Sequence, residues 1–505
     1  MTLDPSSLFN DLRDDGGAPV DGQQLLADLQ GNILRGYGKP RTLLVFVRFG
    51  PDPATNRRWV RDHVLRSEPG LRPASEQLSS APVQTTFSLS ASGLARLGCP
   101  SPKLERFSGA FVRGARAEAT RRRLDDPPVD AWERAFQKPW DALWLLACDV
   151  GALEVQRSII EHAVRAEAIS AALIESGNVL DRQGTPVGPD WTTEQPRFEP
   201  FGYRDGISTP VFSQAHLDEL ALSGKAITHQ KRNLSVVLAR DPLSSSGFGS
   251  YVVFRKLFQD VAGFRRRLDD MVRKLRWRGP ELSRVWGTDS SMPYGAFVDG
   301  SGAFDDSKLE DFVRQRIMGR SADGTPATLG PSANNPTNDF DYAEDDGRRC
   351  PFSAHVRKVC PRGGYSDLAS EATHSVVRRG VSFGRADSEA DPERGAGLLF
   401  MCAQSDIENQ FEFVQARWVN DAERDFSAEP LPMRDNIAAS GGASRPNGYV
   451  QDPESRDDRG VRYAWLTETM EFDAKMYDLV SLRGAEYLFT PSISGLRALC
   501  QGGAP

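Results

Sequence analysis

Cysteine is scarce in this chain: Cys99, Cys148, Cys350, Cys360, Cys402 and Cys500 are scattered through 505 positions. They are too few and too dispersed for a disulfide framework, and several lie in apolar stretches where a buried free thiol is the plain reading. No apolar run reaches the roughly 18 residues of a membrane span. The opening MTLDPSSLFNDLRDDGG has neither a basic n-region nor an apolar h-region, so a cytoplasmic location is expected. Positive charge is not in excess either. With a net charge of -7, nothing draws the chain to nucleic acid or an anionic membrane, and small molecules are the expected partners. A Walker loop, a Gly-x-Ser-x-Gly elbow and a His-Glu-x-x-His helix are all missing, which argues against nucleotide, esterase and zinc-protease chemistry.

What is present suits a large two-lobed body able to bury a sizeable cofactor: 505 residues, 39% hydrophobic and 26% charged. Residues 1–25 are polar and Gly/Asp-rich and read as a loose arm. Thr42–Phe49 and Trp140–Val150 read as strands, and Leu153–Ile174 carries apolar residues at the spacing of one helix face. Ser244–Ser250 is a flexible break, after which the strand pattern restarts at Tyr251–Leu257 and an Arg-rich helix follows from about Asp260 to Trp277. Later strands are expected at Gly397–Gln404 and Glu486–Phe489, with a loop over Ser321–Gly347. The expectation is an α+β or α/β chain with an N-terminal lobe over 26–243 and a C-terminal lobe over 244–505.

One internal echo points to duplication. Phe87-Ser-Leu-Ser-Ala-Ser-Gly-Leu-Ala-Arg-Leu97 matches Phe489-Thr-Pro-Ser-Ile-Ser-Gly-Leu-Arg-Ala-Leu499 at Phe, both aligned Ser, Gly and both Leu. The alternative is a common strand-to-helix turn with a serine cap.

Among the histidines, His355 stands out. It lies in Cys350-Pro-Phe-Ser-Ala-His355-Val-Arg-Lys-Val-Cys360-Pro-Arg362, with apolar cover and Arg357, Lys358 and Arg362 close by. An imidazole here could ligate haem iron with cationic groups for two propionates, or be a satisfied structural histidine. Cys350, His355 and Cys360 also make an incomplete zinc pattern, which lacks the fourth ligand of a tetrahedral site. Asp205, in Glu199-Pro-Phe-Gly-Tyr-Arg-Asp-Gly206, is either a turn-former bonding its own backbone or a carboxylate that glycine brings close to a flat ligand. In Val376-Val-Arg378-Arg379-Gly380, alternation puts the two arginines on opposite faces, with Arg379 expected outside and Arg378 on the other side; they are either an exposed basic pair or include a buried arginine facing a cofactor. The acidic residues Asp339, Asp341, Glu344, Asp345 and Asp346 lack the calcium-loop pattern and read as a solvated loop.

Together these blocks resemble the dye-decolorizing peroxidase family, particularly its longer members. Leu29-Gln-Gly-Asn-Ile-Leu-Arg-Gly36, Phe201-Gly-Tyr-Arg-Asp-Gly-Ile-Ser208, Met318-Gly-Arg-x-x-Asp-Gly-Thr-Pro326, Asn338-Asp-Phe-Asp-Tyr342, Cys350-Pro-x-x-Ala-His355, Val376-Val-Arg378-Arg-Gly380, Leu398–Gln404 and Glu486–Ser492 follow in the expected order. The stretch between Asp241 and Phe297 departs from the longer relatives. The resemblance implies two ferredoxin-like lobes, antiparallel sheets with helices, and one haem b per chain held mainly by the C-terminal lobe. It carries His355 to the axial ligand, Asp205 to the distal acid-base residue and Arg378 to the distal arginine. Arg357 and Arg362 are candidates for the propionates, and Leu398 and Phe400 for an apolar distal wall.

The implied reaction is reduction of hydrogen peroxide and oxidation of dyes, phenols or other bulky aromatic reductants through a ferryl intermediate. A haem carrier or sensor without turnover is the first alternative, although carriage needs neither Asp205 nor Arg378. The second is a zinc protein built on Cys350, His355 and Cys360.

Overall fold

A computed structural model describes residues 3–66, 70–77, 80–222, 230–277, 297–330, 335–345, 349–363, 368–384, 395–420, 451–456, 462–464 and 479–501. Of the stretch 241–297, residues 278–296 therefore lie outside the described residues, as do Asp346 and Gly347.

The strands in chain order are β1 Arg41–Phe49, β2 Val83–Leu89, β3 Ala142–Cys148, β4 Ile169–Asn178, β5 Arg197–Phe198, β6 Arg204–Asp205 and β7 Ala239–Arg240. They continue with β8 Phe248–Gln259, β9 Val377–Arg378, β10 Val381–Phe383, β11 Ala396–Gln404, β12 Gln451–Arg456, β13 Arg462–Ala464 and β14 Val480–Thr490. Ten of them form one sheet in the order β7-β8-β14-β2-β3-β1-β4-β10-β11-β9, with β8 also pairing β11. That last pairing closes the strands between β8 and β11 into an antiparallel barrel.

The barrel has two halves with the same internal order. Counted along the chain, β2-β3-β1-β4 and β10-β11-β8-β14 both read second, third, first, fourth. In each half a helical segment follows the first strand, Pro53–Trp59 or Val261–Trp277, and another follows the third, Leu153–Ala163 or the π-helical stretch Glu408–Val419. The halves join where the fourth strand of one meets the second of the other, at Phe489↔Leu89 and Ser382↔Asn178. Leu43, Phe46, Phe87, Trp144, Phe254, Leu399 and Phe489 from both halves share one core. Strands covered on both faces explain the near-continuous apolar runs of β1 and β3.

The echo between Phe87 and Phe489 does not follow this repeat. It places the second strand of the first half against the fourth of the second half. The match is local turn chemistry: Ser90 Oγ accepts from the Gly93 amide, and Ser492 Oγ from the Gly495 amide. At both glycines a Cβ would collide with an aspartate, Asp141 or Asp241.

Two expectations are corrected. The helix from Leu153 ends at Ala163, and Ile169–Ile174 belongs to β4, because pairing with β1 satisfies that backbone as a ladder. The N-terminal arm is docked rather than loose: Leu12 is buried, the Phe9 amide donates to Phe212, and Ser235 donates to Asp11. Among the described residues no helix is long and apolar enough to cross a membrane, and all six cysteines are free, all but Cys360 buried.

Candidate active site

Asp205 ends β6, whose short ladder with β5 sets Phe198 opposite Arg204 and Arg197 opposite Asp205. The turn between these strands wraps around Glu199. Its buried carboxylate accepts from the amides of Phe201 (3.1 Å) and Tyr203 (2.9 Å) and from Gln259 Nε2 (2.7 Å). Burial raises the Glu199 pKa against these bonds. Gly202 and Gly206 have φ of +87° and +73°, the region glycine enters without strain. Phe201 and Tyr203 anchor the turn in a second core, where Phe201 stacks on Phe264 at 4.5 Å between centroids.

The far side of the turn is fastened to the segment that precedes His355. The Arg204 amide donates to the Ala322 carbonyl (2.9 Å), and Asn338 Nδ2 donates to the Ile207 carbonyl. Asn338 in turn accepts from Arg320, whose pKa burial lowers to about 10, with the nearby Arg362 charge adding to the effect. Arg362 donates to the Asn338 carbonyl (2.8 Å) and makes a long contact to Ser208 Oγ (3.4 Å). It holds this reach at a φ of +50°, unusual for a side chain-bearing residue.

Asp205 and Arg378, 173 positions apart, form a direct pair: Arg378 Nη2 donates to Asp205 Oδ1 at 2.9 Å. Burial pushes the Asp205 carboxyl up, but the charges of Arg378 and Arg197, the Gly206 amide and the Arg378 hydrogen bond outweigh it and hold the group at about 2. Asp205 thus forms its turn, accepting from its neighbour's backbone, and also pairs with a distant cation.

Alternation through β9 and on to Arg379, the residue after it, does separate the two arginines, but the faces are the reverse of those expected. Arg378 is the exposed one, with 48% of its side chain accessible. Arg379 is half-buried and turns inward, donating to the carbonyls of Asn32 and Ile33. Burial, together with the charge of Arg197, lowers its pKa to about 9. The cause is the barrel. The inner face of this strand meets a small cavity lined by Thr86, Leu143, Val252, Met401 and Thr490, while the outer face meets the Asp205 turn. Because Arg378 lies opposite Cys402, it shares that outer face with the half-buried Leu398 and Phe400, as alternation along β11 requires.

His355 is the first residue of the helix His355–Val359, after an Ala354 cap, and is half-buried. Arg357 does not face outward from that helix. It is 1% exposed and donates to Asp345 Oδ2 (3.0 Å) and to the Cys350 carbonyl (2.5 Å), between the rings of Phe352 and Tyr342. Asp345, expected in a solvated loop, is therefore a buried counterion, which also accepts from the Cys350 amide (2.9 Å). Its signal was the cation twelve positions on, which spacing alone does not orient. Burial lifts the Cys350 thiol to about 12, and no three potential metal ligands converge among the described residues. The zinc reading gains nothing from this geometry, since a thiol held neutral is a poor ligand.

The remaining contributors, Glu199, Asn338 and Arg320, lie inside the quoted motif blocks, but nothing in their spacing shows which groups they bind.

No family model matches the chain. It is 31% identical to the multifunctional dye peroxidase DyP2 of Amycolatopsis sp., covering 94% of this chain and 96% of that protein. It is 28% identical to peroxidase 2 of Mycetinis scorodonius, covering 94% and 87%. The crystal structure of a DyP-type peroxidase from Anabaena sp. superposes with a TM-score of 0.74 at 28% identity, covering 99% and 100%. A dye-decolorizing peroxidase in complex with 2,6-dimethoxyphenol shares the fold, with a TM-score of 0.69 at 23% identity over 94% and 99%. With a relative 31% identical to it and matched nearly end to end, the chain belongs to the dye-decolorizing peroxidase family.

Proposed function

We propose that this protein is a haem peroxidase that reduces hydrogen peroxide and oxidises dyes, phenols or other bulky aromatics, in which His355 would hold the haem iron and Asp205 and Arg378 would act on peroxide. The observation that carries the reading is the 2.9 Å pair between the half-buried Asp205 and the exposed Arg378, on the strand face that also holds the half-buried Leu398 and Phe400.

The residues suit the cofactor. A half-buried imidazole at a helix start offers a ligand. Arg362, 2% exposed, has its Nε buried without a hydrogen-bond partner, as a group awaiting a carboxylate would. Arg357, spent on Asp345, is a brace for the His355 segment and not a propionate ligand in this reading. We assign one haem b per chain, held mainly by the half spanning 244–505. The repeated strand order supports two ferredoxin-like lobes, 26–243 and 244–505.

When bound, haem supplies the redox centre at which peroxide is reduced. Asp205, ionised across the ordinary pH range, takes the proton of the near peroxide oxygen and returns it to the far one as water leaves. Arg378, always charged, steadies the negative charge that develops in that step. Leu398 and Phe400 keep water from the same face. A carrier or sensor would need neither the proton relay nor the paired guanidinium.

The test is a spectrum and a turnover measurement on purified protein reconstituted with hemin. A Soret band saturating at one haem per chain, with peroxide-dependent oxidation of 2,6-dimethoxyphenol, is expected. Saturation without turnover would favour the carrier.

A further inference from the structure

Arg378 has two tasks in the proposed reaction, pairing with Asp205 and meeting peroxide, and a second cation stands where it can take over the first. β5 and β6 set Arg197 directly opposite Asp205. Residues so paired point to one face with Cβ atoms about 4.5–5.5 Å apart. The next residue, Gly206, has a φ of +73°, and a Cβ there would run into the Arg197 guanidinium. Glycine at 206 thus does more than turn the chain: it leaves the seat in which the guanidinium lies across the backbone beside Asp205.

Of the other charged groups around Asp205, the Glu199 carboxylate lies near enough for the two negative charges to repel, although its hydrogen bonds go elsewhere. Glu199 faces the amides of Phe201 and Tyr203 and Gln259. Arg204 acts on Asp323, and Arg379 is bound to Asn32 and Ile33. Asp205 is left between two guanidinium groups, Arg378 from β9 and the solvent-exposed Arg197 from β5.

We propose that Arg197 is a positioning residue that keeps Asp205 ionised from the solvent side, so that Arg378 can engage peroxide without Asp205 taking up a proton. This rests on the reading of Asp205 as the proton relay. The electrostatics agree, because Arg197 acts with Arg378 to lower Asp205. Its exposure means that solvent and salt weaken the effect.

The experiment uses the haem-loaded protein in pH-jump stopped flow, reading the first spectral change after peroxide is added. Parental protein, Arg197→Gln, Arg197→Lys and Asp205→Asn are compared, with melting temperature and resting spectrum checking the fold. In Arg197→Gln the acidic midpoint is expected to rise by about 0.5–1 pH unit, costing up to about half the rate near pH 3. The rise shrinks in high salt, and Arg197→Lys restores most of the parental profile. A uniform loss at every pH, or an unmoved midpoint while Asp205→Asn abolishes the acidic limb, overturns the role of Arg197 alone. An acidic limb that survives in Asp205→Asn overturns the relay reading, and the role of Arg197 with it.

Discussion

His355→Ala is expected to lower haem affinity at least tenfold and to erase or shift the Soret band, whereas His374→Ala leaves the spectrum nearly unchanged. Loss of a mere supporting hydrogen bond to a metal ligand costs roughly 10–100-fold in affinity, so loss of the ligand itself costs no less. His374 is already committed: its Nδ1 meets the Asn409 carbonyl at 2.5 Å, and its ring stacks on Phe413 at 3.9 Å. His355 begins its helix on a segment braced by Arg357 and tied through Arg362 and Asn338 to the Asp205 turn. Hemin titration followed by absorbance measures both variants. A spectrum that collapses in His374→Ala and survives in His355→Ala would reverse the axial assignment.

Arg378→Leu is expected to slow the peroxide step by about 100- to 1000-fold, the usual effect of removing a donor that stabilises developing charge. It also removes the leading influence that lowers Asp205, so the carboxyl titrates higher than in the parental protein, with Arg197 and the Gly206 amide still opposing burial. The rate deficit therefore widens as pH falls. Arg379→Leu should act differently. It leaves the Asn32 and Ile33 carbonyls without their donor, at a cost of about 1–3 kcal/mol in stability. Stopped flow and thermal melts on both variants separate the roles, and equal rate losses with unchanged melting would contradict the strand geometry.

The sequence was legible where one local rule dominates. β1, β3, β8 and β11 are strongly apolar segments, and the structure extends or trims them by only a few residues at their ends. Alternation correctly separated Arg378 from Arg379 and put Leu398 with Phe400. It could not say which face was inside, because that depends on a barrel closed by contacts such as Phe489↔Leu89, 400 residues apart. The same limit hid Asp345 and misassigned Arg357, since proximity of charges in sequence says nothing of their orientation. The N-terminal arm was misjudged because its anchors, Phe212 and Ser235, lie some 200 residues away. Asp205 and Arg378 emerged from the family motifs, not from spacing, and only the fold brings them to 2.9 Å.

The proton relay is tested most directly by the pH dependence of the peroxide step in Asp205→Asn, measured apart from dye oxidation. Because the folded carboxyl lies at about 2, below its usual value, parental protein should keep its rate down to about pH 3 and lose it only below that. Asp205→Asn should lose most of the rate at every pH and show no acidic limb. A variant that reacts with peroxide at the parental rate, acidic limb intact, would return Asp205 to a structural role and leave Arg378 as the main distal group.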